Sequence, residues 1–134
     1  MQQRLNIITL GVKNVEKSTQ FYETKFGWSK SDDSNENITF FSLNGILLAL
    51  YKSIELAEDA TVDPVGDGFK AVTLAYNTKA ETEVDLIFTD LENKGVKIIK
   101  NPEKVAWGGY SGYVSDIDDH LWEIAYNPFF NFED

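Results

Sequence analysis

Apolar and polar positions along this chain follow two periods that take turns. Residues 4–12, rich in Leu, Ile, Thr and Val, read as a strand. Asn14 then stands where a helix N-cap belongs, and 15–26 reads as a helix with Val15, Tyr22 and Phe26 on one face. Gly27 sits at its C′ position. Short strands are expected at 28–32, 37–43 and 46–52, the last two joined by Asn44-Gly45, a strong hairpin signal. From 53 to 68 the pattern lapses. Glu55, Glu58, Asp59, Asp63 and Asp67 occur without a basic residue, beside Pro64, Gly66 and Gly68, which predicts an acidic linker.

The pattern then restarts. A strand is expected at 69–76, Asn77 as a second N-cap, and a helix over 79–94 with Val84, Ile87, Phe88 and Leu91 at helical spacing. Gly95 closes it, and strands near 96–100, 104–115 and 120–126 follow. Ile8-Thr9-Leu10 matches Val72-Thr73-Leu74, and Leu47 and Tyr51 match Leu121 and Ala125. The chain is therefore read as an α+β fold. Two βαβββ modules, about 4–52 and 69–127, are related by pseudo-two-fold symmetry, and a tail occupies 128–134. Each half-sheet needs a partner to close on, so a curved mixed sheet around a cup is expected within a single domain.

Composition narrows the function. The 134 residues, 43% hydrophobic and 13% aromatic, suffice for a folded core. A net charge of −10 argues against nucleic acid, whose phosphates need clustered Lys and Arg, and mildly favours neutral or cationic ligands. With no Cys, a disulfide scaffold, a thiolate nucleophile and a cysteine-ligated zinc site are excluded. The opening stretch, Met1 to Asn6, has no signal-peptide pattern, and the longest apolar run, Ile46 to Tyr51, is far too short to span a membrane. A cytoplasmic protein is the expectation.

Three stretches then carry a family resemblance: Ile8 to Ser18 followed by Phe21 to Trp28, Gly45 to Lys52, and Trp107 to Pro128. They resemble the vicinal oxygen chelate superfamily of glyoxalases, extradiol dioxygenases, and fosfomycin and bleomycin resistance proteins. The third stretch is similar to the family's Asp-Pro-Asp-Gly-His/Asn-Leu-Trp-Glu ending, with Ile117 in place of Pro and Asp119 in place of Gly. Asp tolerates left-handed geometry, so that turn is expected to survive. Metal-dependent members take two ligands from each module, one on its first strand and one on its last, so that the ion can hold two vicinal substrate oxygens. Carried over, those positions fall at Ile7, Ala49, Ala71 and Glu123. Neither 4–12 nor 69–76 contains His, Asp or Glu, and His120 lies at odd spacing from Glu123. The resemblance thus implies a member without the family metal or any other cofactor, and a homodimer.

Period-two alternation groups Leu5, Ile7 and Thr9, then Leu47, Ala49 and Tyr51, then Phe69, Ala71 and Thr73, then Leu121, Glu123 and Ala125. If these faces line the cup, it is apolar with one carboxylate. The opposite residues, among them Leu10, Val12, Leu48, Leu50, Trp122 and Ile124, would form the core. Glu123 is the catalytic candidate, either a general acid–base group or the partner of a cation, or else a relic bonded to a neighbour. Trp107, Tyr110 and Tyr113, spaced by glycines, could wall the cup, or mark a bulged, curved strand. Asp116, Asp118 and Asp119 are read as turn residues and His120 as a strand-edge residue. Arg4 and Lys52 are read as solvated strand-end cations. Phe129, Phe130 and Phe132 either cap the cup or form a subunit contact.

The expected function is metal-independent binding of a small apolar or aromatic molecule, cationic ones included. The ligand-binding set is Ile7, Thr9, Ala49, Tyr51, Ala71, Trp107, Tyr110, Tyr113 and Glu123. The alternative is a lyase or isomerase using Glu123 as acid or base. A metal-dependent glyoxalase or dioxygenase fits less well, and a ligand-free oligomeric or regulatory module is a third possibility.

Overall fold

A computed structural model describes residues 1–3, 5–66 and 68–130. Arg4, Asp67 and Phe132, each singled out by the sequence, lie outside the described residues. The chain divides into two compact units, Met1–Gly68 and Phe69–Asp134.

In the first unit β1 (Ile7–Val12) leads into α1 (Val15–Phe21). Asn14 caps the helix as expected, its side chain accepting from the Lys17 N–H at 2.8 Å. The helix does not simply run on to 26. It widens into a π-helical turn, Tyr22–Phe26, in which the N–H groups of Gly27 and Trp28 both bond the Tyr22 carbonyl. Gly27 ends it in the left-handed conformation, φ 72°. The wide turn gathers Phe21, Tyr22, Phe26, Trp28 and Phe41, with neighbouring ring centroids 5.2–5.9 Å apart.

β2 (Ile38–Ser42) and β3 (Leu47–Lys52) form an antiparallel pair through the Asn44-Gly45 turn, where Gly45 has φ 82°. The sheet order is β1-β3-β2, with β1 parallel to β3. Leu10, Val12, Phe41, Leu48 and Leu50 are buried on the helix side. No strand forms at 28–32. Instead single bonds, Ser31 N–H to the Phe40 carbonyl at 2.7 Å and Asn35 N–H to the Ile38 carbonyl at 2.9 Å, tie this stretch to β2.

The expected linker is in part a helix. α2 (Ser53–Ala60) consists largely of Glu, Leu and Ala, all helix formers, and it packs on β1, where a side chain at Gly11 would meet Ser53. Its end is set by Thr61 in the left-handed conformation.

The second unit carries β4 (Leu74–Thr78), α3 (Glu81–Asn93), β5 (Lys97–Lys104), β6 (Tyr110–Ser115) and β7 (Leu121–Tyr126), in sheet order β4-β7-β6-β5. Val84, Phe88 and Leu91 of α3 are buried, as their spacing predicts. Asn77 is not the cap, because it lies within β4. Ala80 holds the cap position and offers no side-chain bond, while Glu83 accepts from the Lys79 N–H at 3.0 Å. The stretch expected as one strand at 104–115 is broken at Trp107-Gly108, where φ of Gly108 is 101°. β5 instead reaches Lys104, with register shifts either side of Lys100.

Candidate functional site

The helix side of the second sheet is settled by Gly112, where a Cβ would lie 2.6 Å from the Phe88 ring of α3. Ile124 stands beside Gly112, and Trp122 and Val114 lie on the same face; all three are buried. The opposite face therefore carries the odd residues of β7, and strand pairing assembles a row across it. Lys100 pairs with Tyr113, Tyr113 with Glu123, and Glu123 with Ala75. Tyr113 and Glu123 are both half-buried. The Tyr113 phenol is pushed above its usual value of 10.0, first by burial and then by the charge of Glu123; Lys100 and a hydrogen bond with Thr73 pull the other way. Lys100 is raised above 10.5, chiefly by its hydrogen bond and ion pair with Glu103 at 2.8 Å. At neutral pH the row thus presents an un-ionised phenol between a carboxylate and an ammonium already engaged by Glu103.

Two residues expected here lie elsewhere. Ala71 precedes β4, is exposed, and has a left-handed φ of 58°, so it cannot take part in strand alternation. The strand register gives its place to another residue. In the first unit Ala49 pairs with Thr9, two residues after Ile7; in the second Glu123 pairs with Ala75, two residues after Thr73. Thr73 is the counterpart of Ile7. Tyr110 is the second correction. Three residues from Tyr113 on one strand, it points to the helix side, where its hydroxyl donates to Asp85 of α3 at 2.6 Å. Trp107 stands in the turn before β6, 47% exposed, with its indole folded over Gly109. The three rings therefore do not make one wall.

In the first unit Ile7, Thr9, Ala49 and Tyr51 do share the face turned away from α1. Thr9 pairs with Ala49 and Gly11 with Tyr51; Ile7 is 46% exposed, whereas Ala49 is wholly buried. Lys52 is exposed at the end of β3. Pro128, Phe129 and Phe130, with Tyr126, Thr78, Lys79 and Asn127, line a cavity of about 370 Å³. Phe129 and Phe130 are 73% and 65% exposed.

The Asp cluster is a turn. The buried Asp116 carboxylate accepts from the N–H groups of Asp118 and His120, both at 2.9 Å, and lies 2.7 Å from the His120 ring. Asp119 adopts φ 64°, taking the place usual for Gly.

The donors within either unit do not fit a metal ion. The first unit offers Ile7 and Ala49 at the family's ligand positions, the second Thr73 and Glu123. Among the described residues no three His, Cys, Asp or Glu side chains come together.

Each unit follows a strand with a helix and further strands, an α+β pattern, and comparison with known proteins agrees. The family model described as Glyoxalase/Bleomycin resistance protein/Dioxygenase superfamily matches residues 4–124, so the chain belongs to that superfamily. A crystal structure of a glyoxalase-related enzyme from Fulvimarina pelagi is 36% identical with a TM-score of 0.88, covering 98% of this chain and 94% of its own. Lactoylglutathione lyase from Agrobacterium tumefaciens shares the fold at 19% identity and a TM-score of 0.76, covering 99% and 100%. Among curated proteins, metallothiol transferase FosB from Lysinibacillus sphaericus is 28% identical over 122 residues, 91% of this chain and 81% of that protein.

The sequence gives no sign of Lys100 in this row, and it places Thr73 on the cup-lining face without a role at the ligand position. A signal for the pairing of Tyr113 with Glu123 was present: the two stand equally far from the centre of the Asp116–His120 turn, which is what an antiparallel hairpin makes opposite.

Proposed function

We propose that this chain is a metal-independent small-molecule-binding member of its superfamily. Its ligand is an apolar or aromatic molecule, and Glu123 is the polar anchor. The observation that supports this reading is the residue type at each unit's ligand positions: Ile7 and Ala49 in the first, Thr73 and Glu123 in the second, a single carboxylate in all and too few donors for a divalent ion. FosB is named a metallothiol transferase, and that activity is not transferred here for the same reason. Net charge of −10 supports neutral or cationic ligands over anions. The test is metal content after incubation with Zn²⁺, Ni²⁺ or Mn²⁺ and dialysis, alongside tryptophan fluorescence across a panel of small aromatic compounds. Quenching without stoichiometric metal is expected; one tightly held ion per chain would overturn the reading.

A second reading, a lyase or isomerase, is favoured by the pairing of Tyr113 with Glu123, which sets an un-ionised acid beside a potential base. Turnover that is abolished in Glu123→Gln would favour it over binding alone.

A further inference from the structure

Glu123 has polar neighbours of defined chemistry on the face of the second sheet turned away from α3. Tyr113 stands directly opposite it on β6, an arrangement that brings paired Cβ atoms to about 5 Å. The phenol reaches on to the hydroxyl of Thr73. Thr73 leads into β4, on the far side of β7 from β6. The Tyr113 ring therefore crosses β7 beside the Glu123 carboxylate.

The hydrogen-bonding roles follow from this geometry. A hydroxyl both donates and accepts, so Thr73 can donate to the phenol oxygen and leave the phenol's single proton for another acceptor. A carboxylate accepts and does not donate. Lys100, next along the row, is paired with Glu103 at 2.8 Å.

We propose that Tyr113 and Glu123 together read the polar end of the ligand, with Thr73 positioning the phenol, and that this polar end is an amine or amide nitrogen beside a carbonyl or hydroxyl oxygen. The nitrogen donates to Glu123, and the oxygen accepts from Tyr113. The inference rests on the small-molecule-binding reading above and narrows its ligand class. It disfavours carboxylates and phosphates, which would bring a second negative charge to Glu123.

Four probes on one carrier ring test it with the full chain: phenylalaninamide, 2-phenylethylamine, 3-phenylpropionate and toluene, titrated by amide NMR shifts. Phenylalaninamide is expected to bind about five-fold more tightly than 2-phenylethylamine, the scale of one hydrogen bond, with 3-phenylpropionate the weakest polar probe. Tyr113→Phe should erase the difference between the first two, and Glu123→Gln the advantage of both amines over 3-phenylpropionate. Thr73→Val should weaken phenylalaninamide selectively, and Thr73→Ser should restore it. This last pair carries the test if Tyr113→Phe does not fold, and comparing probes within one variant removes differences in the folded fraction. Equal binding of 3-phenylpropionate and phenylalaninamide overturns the proposal, as do probe ratios unchanged by the substitutions. Toluene binding with no preference among the polar probes overturns it while leaving the small-molecule-binding reading intact. Failure of all four probes overturns both.

Discussion

Thr19 on α1 and Thr39 on β2 share a buried hydrogen bond of 2.7 Å between their hydroxyls. The Thr19 hydroxyl also donates to the Val15 carbonyl at 2.7 Å, so its one proton is committed there and Thr39 must be the donor between the two. Removing either side chain's hydroxyl is therefore not symmetrical. Thr19→Val leaves the Thr39 donor buried without its acceptor and is expected to cost about 1–3 kcal/mol; Thr39→Val leaves Thr19 bonded to Val15 and costs less. A double-mutant cycle in urea checks this, with the double variant less destabilised than the two single effects added.

Asp116 offers a sharper case. Its carboxylate, buried in the turn between β6 and β7, accepts two backbone N–H bonds besides facing the His120 ring. Asp116→Ala should remove about 2–4 kcal/mol of stability by orphaning those donors, and His120→Ala clearly less, because the backbone bonds remain. Chemical denaturation of the two variants ranks them; equal losses would contradict this account of the turn.

Gly112 is required by close packing. A Cβ there would lie 2.6 Å from the Lys100 carbonyl oxygen and 2.6 Å from the Phe88 ring, and neither backbone nor core can retreat freely. Gly112→Ala is expected to cost about 1–3 kcal/mol, seen as a lowered Tm, whereas a substitution at the open Gly66 should leave Tm nearly unchanged.

The alkaline limb of stability should report Tyr113 and Tyr110. Both phenols are raised above 10.0, Tyr113 chiefly by burial and Tyr110 chiefly by its bond to Asp85. A raised folded-state value means that each contributes stability present below pH 10 and lost as pH climbs through that higher value. In ultraviolet titration, Glu123→Gln should lower the Tyr113 midpoint without returning it to 10.0, because burial, the larger cause, is untouched.

What the sequence showed clearly was local. Asn14, Gly27 and Asn44-Gly45 act on their own neighbours, and Val84, Phe88 and Leu91 mark a helix face by spacing alone. The hidden features depend on contacts between distant segments or on a single backbone angle. α2 reads as a loop because its acidic residues precede Pro64 and Gly66, yet packing on β1 makes Ser53–Ala60 helical. Ala71 fits strand alternation by residue type, but its positive φ removes it, and only pairing with β7 shows that Thr73 holds the corresponding place. Tyr110 was separable from Tyr113 all along by the odd spacing that sets His120 apart from Glu123.

β5 is the end strand of the second sheet, and its irregularity bears on how crowded molecules behave. An end strand with a full row of open N–H and carbonyl groups is a template on which a neighbouring chain can grow. Here Pro102 supplies no N–H and two register shifts break the straight edge. A second β5 laid against the first would meet a missing donor and a bent backbone. The strand that closes the sheet thereby protects the protein from aggregating through that edge.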